Sequence, residues 1–251
     1  MNSPAVSMLV LVVVFGSAMA GLLLRALLPK QHLSNESKRV IQLGIGLVGT
    51  MAALVLSLLV ASAKGAFDVQ STEITQASAN VILLDRLLAH YGPETREIRE
   101  SLRGTLARLL EVLWSEDRPG SAQLGDESTG NEVLYEKIRS LSPRNDLQRT
   151  LQSQASNVVM SLAQTRWLLF EQGATSVSRP MLIIMVFWLA IIFMSWGLFA
   201  PPNPTVIATL LVAALSVSSA IFLILEMYSP YSGLIQVSSA PLRAALAQLG
   251  Q

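Results

Sequence analysis

Apolar residues fall into long uninterrupted blocks at the two ends of the chain, with a polar stretch between them. The first block runs from about Val6 to Leu28, and the second comprises the 24 uncharged residues between Arg39 and Lys64. A third stretch, Pro180 to Leu225, holds 46 residues without a charge. A bilayer core of about 30 Å is crossed by roughly 20 apolar residues in a helix, because each amide must be hydrogen-bonded within the segment. The third stretch is too long for one crossing. It is cut by Pro201, Pro202, Asn203 and Pro204, which remove amide donors and disfavour helix before each ring. The pattern predicts an all-α membrane protein with four transmembrane helices, at about 6–28, 40–63, 180–200 and 204–225. A helical soluble insert, 64–179, lies between the second and third, and an interfacial tail, 226–251, follows the fourth.

Within the insert the period changes to that of amphipathic helices. Leu83, Leu84, Leu87 and Leu88 form one series, and Ile98, Leu102, Leu106, Leu109 and Leu113 form the next. Tyr91-Gly92-Pro93 ends the first helix, and Pro93 with Glu94 and Glu97 starts the second, so the two should pack antiparallel. Asp117 to Gly130 reads as an exposed loop, rich in Gly, Ser and Asp. A short helix near Asn131 to Ser140 follows, Pro143 breaks it, and the spacing of Leu147, Leu151, Ala155, Val158, Leu162 and Leu169 carries a longer helix towards the third span. Between Lys64 and His90 only Gly65 weakens a helix, so the second span is expected to continue as a stalk. Past the fourth span, Pro230 and Gly233 stop the helix. Ser239-Ala240-Pro241 can start a short one that exposes Leu242, Leu246 and Leu249 on one face, suited to a membrane surface.

Composition agrees with this division: of 251 residues, 51% are hydrophobic and 14% charged, and 28 of the 35 charged residues lie between Lys64 and Arg179. Net charge is +1 with both signs interspersed, so no basic face for nucleic acid is present. The absence of Cys excludes disulfides, thiolate nucleophiles and Cys-ligated zinc. Ala18-Met19-Ala20 resembles a signal-peptide processing site. No Lys or Arg precedes that apolar run, however, and Leu22, Leu23 and Leu24 extend it, so a retained helix is expected. Arg25, Arg39 and Lys64 flank the first two spans and can snorkel, while Trp196 and Tyr228 suit interfacial belts.

Candidate chemistry is sparse. Gly44-Ile45-Gly46-Leu47-Val48-Gly49 matches the GxGxxG pattern of dinucleotide sites, but it sits inside an apolar span rather than between a strand and a helix. Small residues there instead allow close helix packing or narrow a pore lining, and Ser57 extends the same helix. Glu226 is the only acid beside the last two spans, readable as an interfacial carboxylate or as a buried functional acid that pairs with Arg or binds a cation. Ser216, Ser218 and Ser219 are expected to bond their own or a neighbouring helix rather than line a polar path. His32 and His90 have no metal-ligand partner at useful spacing, so no catalytic, cofactor or metal site is predicted and an enzyme is not expected.

Several segments resemble the bacterial bestrophin-like domain family: Tyr91-Gly92-Pro93-Glu94, Trp114, Leu141-Ser142-Pro143, Arg166, Gly197-Leu198-Phe199-Ala200-Pro201, Leu225-Glu226 through Gly233, and Ser238-Ser239-Ala240-Pro241-Leu242. The resemblance covers nearly the whole chain, and its order of spans and insert looks like that of bestrophin anion channels. It implies a homo-oligomer in the bacterial inner membrane, passing small anions through a pore lined by span two with Gly44, Gly46, Gly49 and Ser57. It also implies that the insert and both termini are cytoplasmic. Lys30, Lys38 and Arg39 in the first loop favour the opposite orientation. Lys64, Arg166, Arg179 and Arg243 offset them, so a cytoplasmic insert is taken. Span two has no Phe, whereas bestrophins carry an aromatic and isoleucine constriction there. The alternative function is a non-conducting membrane scaffold or sensor that binds a partner through the helical insert.

Overall fold

The structure, a computed structural model, describes residues 3–28, 35–114, 129–173 and 179–250. These contain eight α-helices and no strand: α1 (Ser3–Leu27), α2 (Asn35–Tyr91), α3 (Arg96–Leu113), α4 (Thr129–Arg139), α5 (Asp146–Gly173), α6 (Arg179–Phe199), α7 (Pro204–Met227) and α8 (Ala240–Gln248). Four of them, α1, α2, α6 and α7, are long and apolar enough to cross a membrane. The chain divides into two compact units, Met1–Gly65 with Ser176–Tyr228, and Ala66–Thr175 with Ser229–Gln251. The stalk expected beyond span two is present, because α2 is one helix of 57 residues that passes Gly65 without a break.

In the first unit, α1, α6 and α7 supply most of a core joined by the Leu59–Ala63 end of the α2 span. Val10, Val14 and Ala18 of α1 meet Met185, Leu189 and Phe193 of α6, with Ala214, Ile221 and Ile224 of α7. Apolar surface is already in an apolar solvent within lipid, so helix pairing there depends on close packing and interhelical hydrogen bonds. Both are present. At the α1–α6 crossing, a Cβ on Gly21 would collide with the Met194 carbonyl and lie 2.9 Å from the Leu198 amide nitrogen. A Cβ on Gly197 would collide with the Ala18 carbonyl oxygen and lie 3.0 Å from the Leu22 amide nitrogen. Ser218 of α7 donates to the Ser7 carbonyl of α1 at 2.6 Å. Arg25, expected to snorkel, donates to the Ala200 carbonyl just past α6, where helix carbonyls lack partners. The hairpin forms as its prolines require, with Asn203 capping α7 by accepting from Val206 N at 2.8 Å. The Ala18–Ala20 stretch, readable as a cleavage site, lies inside α1, and Ala18 is fully buried.

In the second unit, the α2 stalk packs with α3, α4, α5 and the C-terminal segment around Leu84, Leu88, Ile98, Leu102, Leu106, Leu134 and Ile138. Burial of apolar area against water supplies the driving force there. Gly92 at φ 137° and ψ −179° reverses the chain, and a short 3-10 turn, Pro93–Thr95, leads into α3. Thr95 Oγ1 bonds the carbonyls of Leu88 at 2.6 Å and Gly92 at 2.8 Å, locking that turn. Gln152 Nε2 reaches the carbonyls of Ile138 and Leu141, each at 2.9 Å, and so ties α5 to the end of α4.

The structure departs from the sequence pattern at three places. Leu83 points outward, 48% exposed, because the buried stripe of α2 follows Ile74, Val81, Leu84 and Leu88. Helix α4 begins at Thr129, so the last two residues of the expected loop are helical, and Asp117 to Ser128 fall outside the described residues. The face of α8 expected to be exposed is inside, with Leu242 and Leu249 buried and Leu246 half-buried in the second unit's core. This short helix completes the core of its own unit instead of presenting an apolar face outward.

Candidate functional site

Gly44, Gly46 and Gly49 all lie on α2, and a Cβ built on any of them meets nothing within 4 Å. They therefore mediate no close helix contact among the described residues, in contrast to Gly21 and Gly197. The same stretch displays Leu43, Leu47 and Leu54 at 65–77% exposure. Only 11% of the most apolar stretch of α2 is buried, against 39% for α6. Ser57 Oγ bonds the Ala53 carbonyl of its own helix at 2.8 Å, leaving its oxygen lone pairs on an exposed face. The GxGxxG pattern thus sits within a continuous helix, without the strand-to-helix turn that a dinucleotide cradle uses.

Glu226 belongs to a different helix, α7. It occupies the last turn of α7 and is buried to 3% exposure among Leu225 and its neighbours. Close to it in sequence, the Tyr228 hydroxyl lies 3.1 Å from Ser62 Oγ, which ties the end of α7 to α2. Ser216 and Ser219 bond carbonyls four residues back, at 2.9 and 2.8 Å, and Ser218 bonds α1, as expected of serine in a membrane helix. His90 Nδ1 is 2.7 Å from the Arg86 carbonyl, and His32 falls outside the described residues.

A family model described as the bestrophin-like domain matches residues 10–242. The chain belongs to the bestrophin-like family. Its fold agrees with that of two solved chains of a bacterial bestrophin homologue from Klebsiella pneumoniae, one carrying a tyrosine-to-alanine substitution and the other isoleucine-to-threonine. Each superposes with a TM-score of 0.68 at 14% identity. The alignments cover 96% and 98% of this chain and 97% and 99% of the respective homologue chains. A search of curated protein sequences gives no match. As a bestrophin-like chain with four apolar helices, this is a membrane protein.

Many of the residues that carried the family resemblance turn out to be joints of the bestrophin-like fold. Gly92 sets the turn between α2 and α3. Trp114 donates from Nε1 to the Val237 carbonyl at 2.9 Å and meets Tyr231 edge to face, with ring centroids 5.6 Å apart. These contacts fasten the segment before α8 to the end of α3. Tyr231 is buried, and its hydroxyl has no hydrogen-bond partner among the described residues. Burial raises its pKa well above the ordinary phenol value, with the Glu73 carboxylate adding to the shift. The pair Gly21 and Gly197 was missed as a packing site. Its signal was small residues at Ala18, Gly21 and Gly197 within apolar blocks, the first of which also fits a processing site.

Proposed function

We propose that this bestrophin-like protein is an oligomeric anion channel of the bacterial inner membrane rather than an enzyme. Its pore would be lined by the first half of α2 with Gly44, Gly46, Gly49 and Ser57, and its insert would be cytoplasmic. The observation that carries this reading is the unpacked first half of α2: Gly46, Gly49 and Ser57 share one side of the helix and Gly44 lies on the other, each glycine with empty space where a Cβ would be, while the crossing of α1 and α6 uses its own glycines in close contact. Small residues on an unpaired face narrow the cross-section without adding bulk, and they let copies of the helix surround an axis. Homo-oligomerisation supplies those copies. Glu226, buried in the last turn of α7, is not part of this lining.

Planar-bilayer recording of purified protein tests the proposal. Currents whose reversal potential follows the anion gradient, with self-association of the purified chain, are expected, and Gly46→Leu should reduce them without altering the fold. A folded oligomer that passes no more current than protein-free bilayers across anions, pH and calcium would sink it and leave the scaffold reading. A reporter inserted between Asp117 and Gly130 and active only outside the cytoplasm would reverse the orientation.

A further inference from the structure

The second unit holds a cavity of about 360 Å³ among α2, α3, α4, α5 and α8. Its walls are mainly apolar, formed by Val81, Leu106, Leu134, Leu169 and Leu242. Its polar groups have one character. Arg108 and Arg166 line it with Ser101, Thr105 and Thr165, and no Asp or Glu is among the described residues of the lining. Thr105 directs its hydrogen to the Ser101 carbonyl at 3.0 Å, while Arg108 is exposed and makes one long contact, 3.4 Å, to the Gly104 carbonyl of its own helix. The guanidinium of Arg108 therefore keeps donor capacity for a ligand.

An apolar cavity with a few convergent polar groups is the usual form of a small-molecule site, and this volume falls at the small end of the roughly 300–1,000 Å³ range. At about 30 Å³ for each water-sized group it accommodates a chain of roughly twelve such groups. Guanidinium recognises a planar oxyanion through paired N–H donors, and carboxylate fits that fork. We propose that this pocket binds a medium-chain carboxylate, with its alkyl chain against Val81, Leu106 and Leu134 and its head at Arg108. The site belongs to the insert, so it stands or falls independently of conduction.

Photoaffinity labelling of the full-length purified protein with a ten-carbon carboxylate bearing a terminal diazirine tests this assignment. Label should map to α3, α4 and α5 around the cavity, and excess decanoate should displace it while decanol does not. Arg108→Gln, at an exposed position, removes a charge-assisted pair and should weaken labelling roughly tenfold. Val133→Trp, at a position 40% exposed on the lining, should block entry to a similar degree. Equal displacement by decanol, label confined to the membrane spans, or labelling unchanged in Arg108→Gln would each overturn the proposal. Should Val133→Trp lower the melting temperature, the Arg108→Gln comparison decides alone. Cross-linking that places a second copy of the chain over the cavity would also refute it.

Discussion

Asp85 and Arg99 are joined side by side, with Arg99 Nε donating to Oδ1 at 2.7 Å and Nη2 to Oδ2 at 2.8 Å. The carboxylate side chain is 2% exposed and the guanidinium side chain 22%. The pair clamps the last turns of α2 to the start of α3, and the Gly250 amide approaches the same carboxylate at 3.4 Å. Removing one partner of a buried ion pair leaves the other desolvated and uncompensated. Asp85→Ala is expected to cost about 2–3 kcal/mol, less than the roughly 3–5 of a fully enclosed pair because Arg99 reaches solvent. The double variant Asp85→Leu with Arg99→Met should recover much of the loss. Thermal unfolding in detergent measures both, and an unchanged transition in Asp85→Ala would show that the clamp adds nothing.

The α1–α6 crossing makes a second, sharper prediction. Gly21→Ala and Gly197→Ala each place a methyl group against backbone atoms of the opposing helix, which cannot turn aside as a side chain can. The helices must separate, at a cost of about 1–3 kcal/mol for overpacking. Gly44→Ala and Gly16→Ala enter open space inside helices and should not destabilise a single chain, the helix propensity of Ala favouring it by up to about 1 kcal/mol. Equal melting temperatures across all four variants would contradict this crossing.

At the turn after α2, Gly92 adopts φ 137° and ψ −179°, a region essentially reserved for glycine. A Cβ there would also lie 2.6 Å from Glu94 Oε2. Gly92→Ala should destabilise the insert by about 1–3 kcal/mol. Protease resistance of the purified protein at this turn offers a direct assay, and full retention of that resistance would argue against the strain.

Alkaline pH should unfold the protein partly through Tyr231. Its phenol is raised above the ordinary value of 10.0 by burial and then by Glu73. The unfolded chain therefore releases this proton first, and the stability contributed by the neutral phenol is complete below pH 10 and falls as pH rises beyond it. Tyr231→Phe keeps the ring against Trp114 and removes a buried hydroxyl that has no partner among the described residues, so it should stabilise by about 1 kcal/mol near neutrality. Melting temperatures between pH 8 and 11 should fall less steeply in the variant. Parallel curves would mean that Tyr231 does not titrate with unfolding.

The candidate pore face was legible in part. Gly44, Gly46 and Gly49 stood out by spacing, but sequence could not separate them from Gly21 and Gly197, since all five lie in apolar helices. The distinction is geometric: one set has empty space around it and the other a facing backbone. Leu242, Leu246 and Leu249 illustrate the same difficulty. An apolar stripe on a short helix reads equally well as a membrane-surface face or a core face, and only the packing of α8 in the second unit decides for the core.

What the sequence determined by itself was the number, length and order of the membrane helices and the helical character of the insert. The physical reason is local, because a segment in lipid must satisfy its own backbone and a run of proline must end it. Which faces meet was decided by the tertiary structure. In an apolar solvent every face of these helices is equally acceptable, so partners are selected where two backbones can touch, as at Gly21 and Gly197, or where a hydroxyl finds a carbonyl 211 residues away, as Ser218 finds Ser7. The Asp85–Arg99 clamp and the Trp114–Val237 bond follow the same rule in the insert. Their spacing carries no periodic signal, and their formation depends on turns that bring distant helices together.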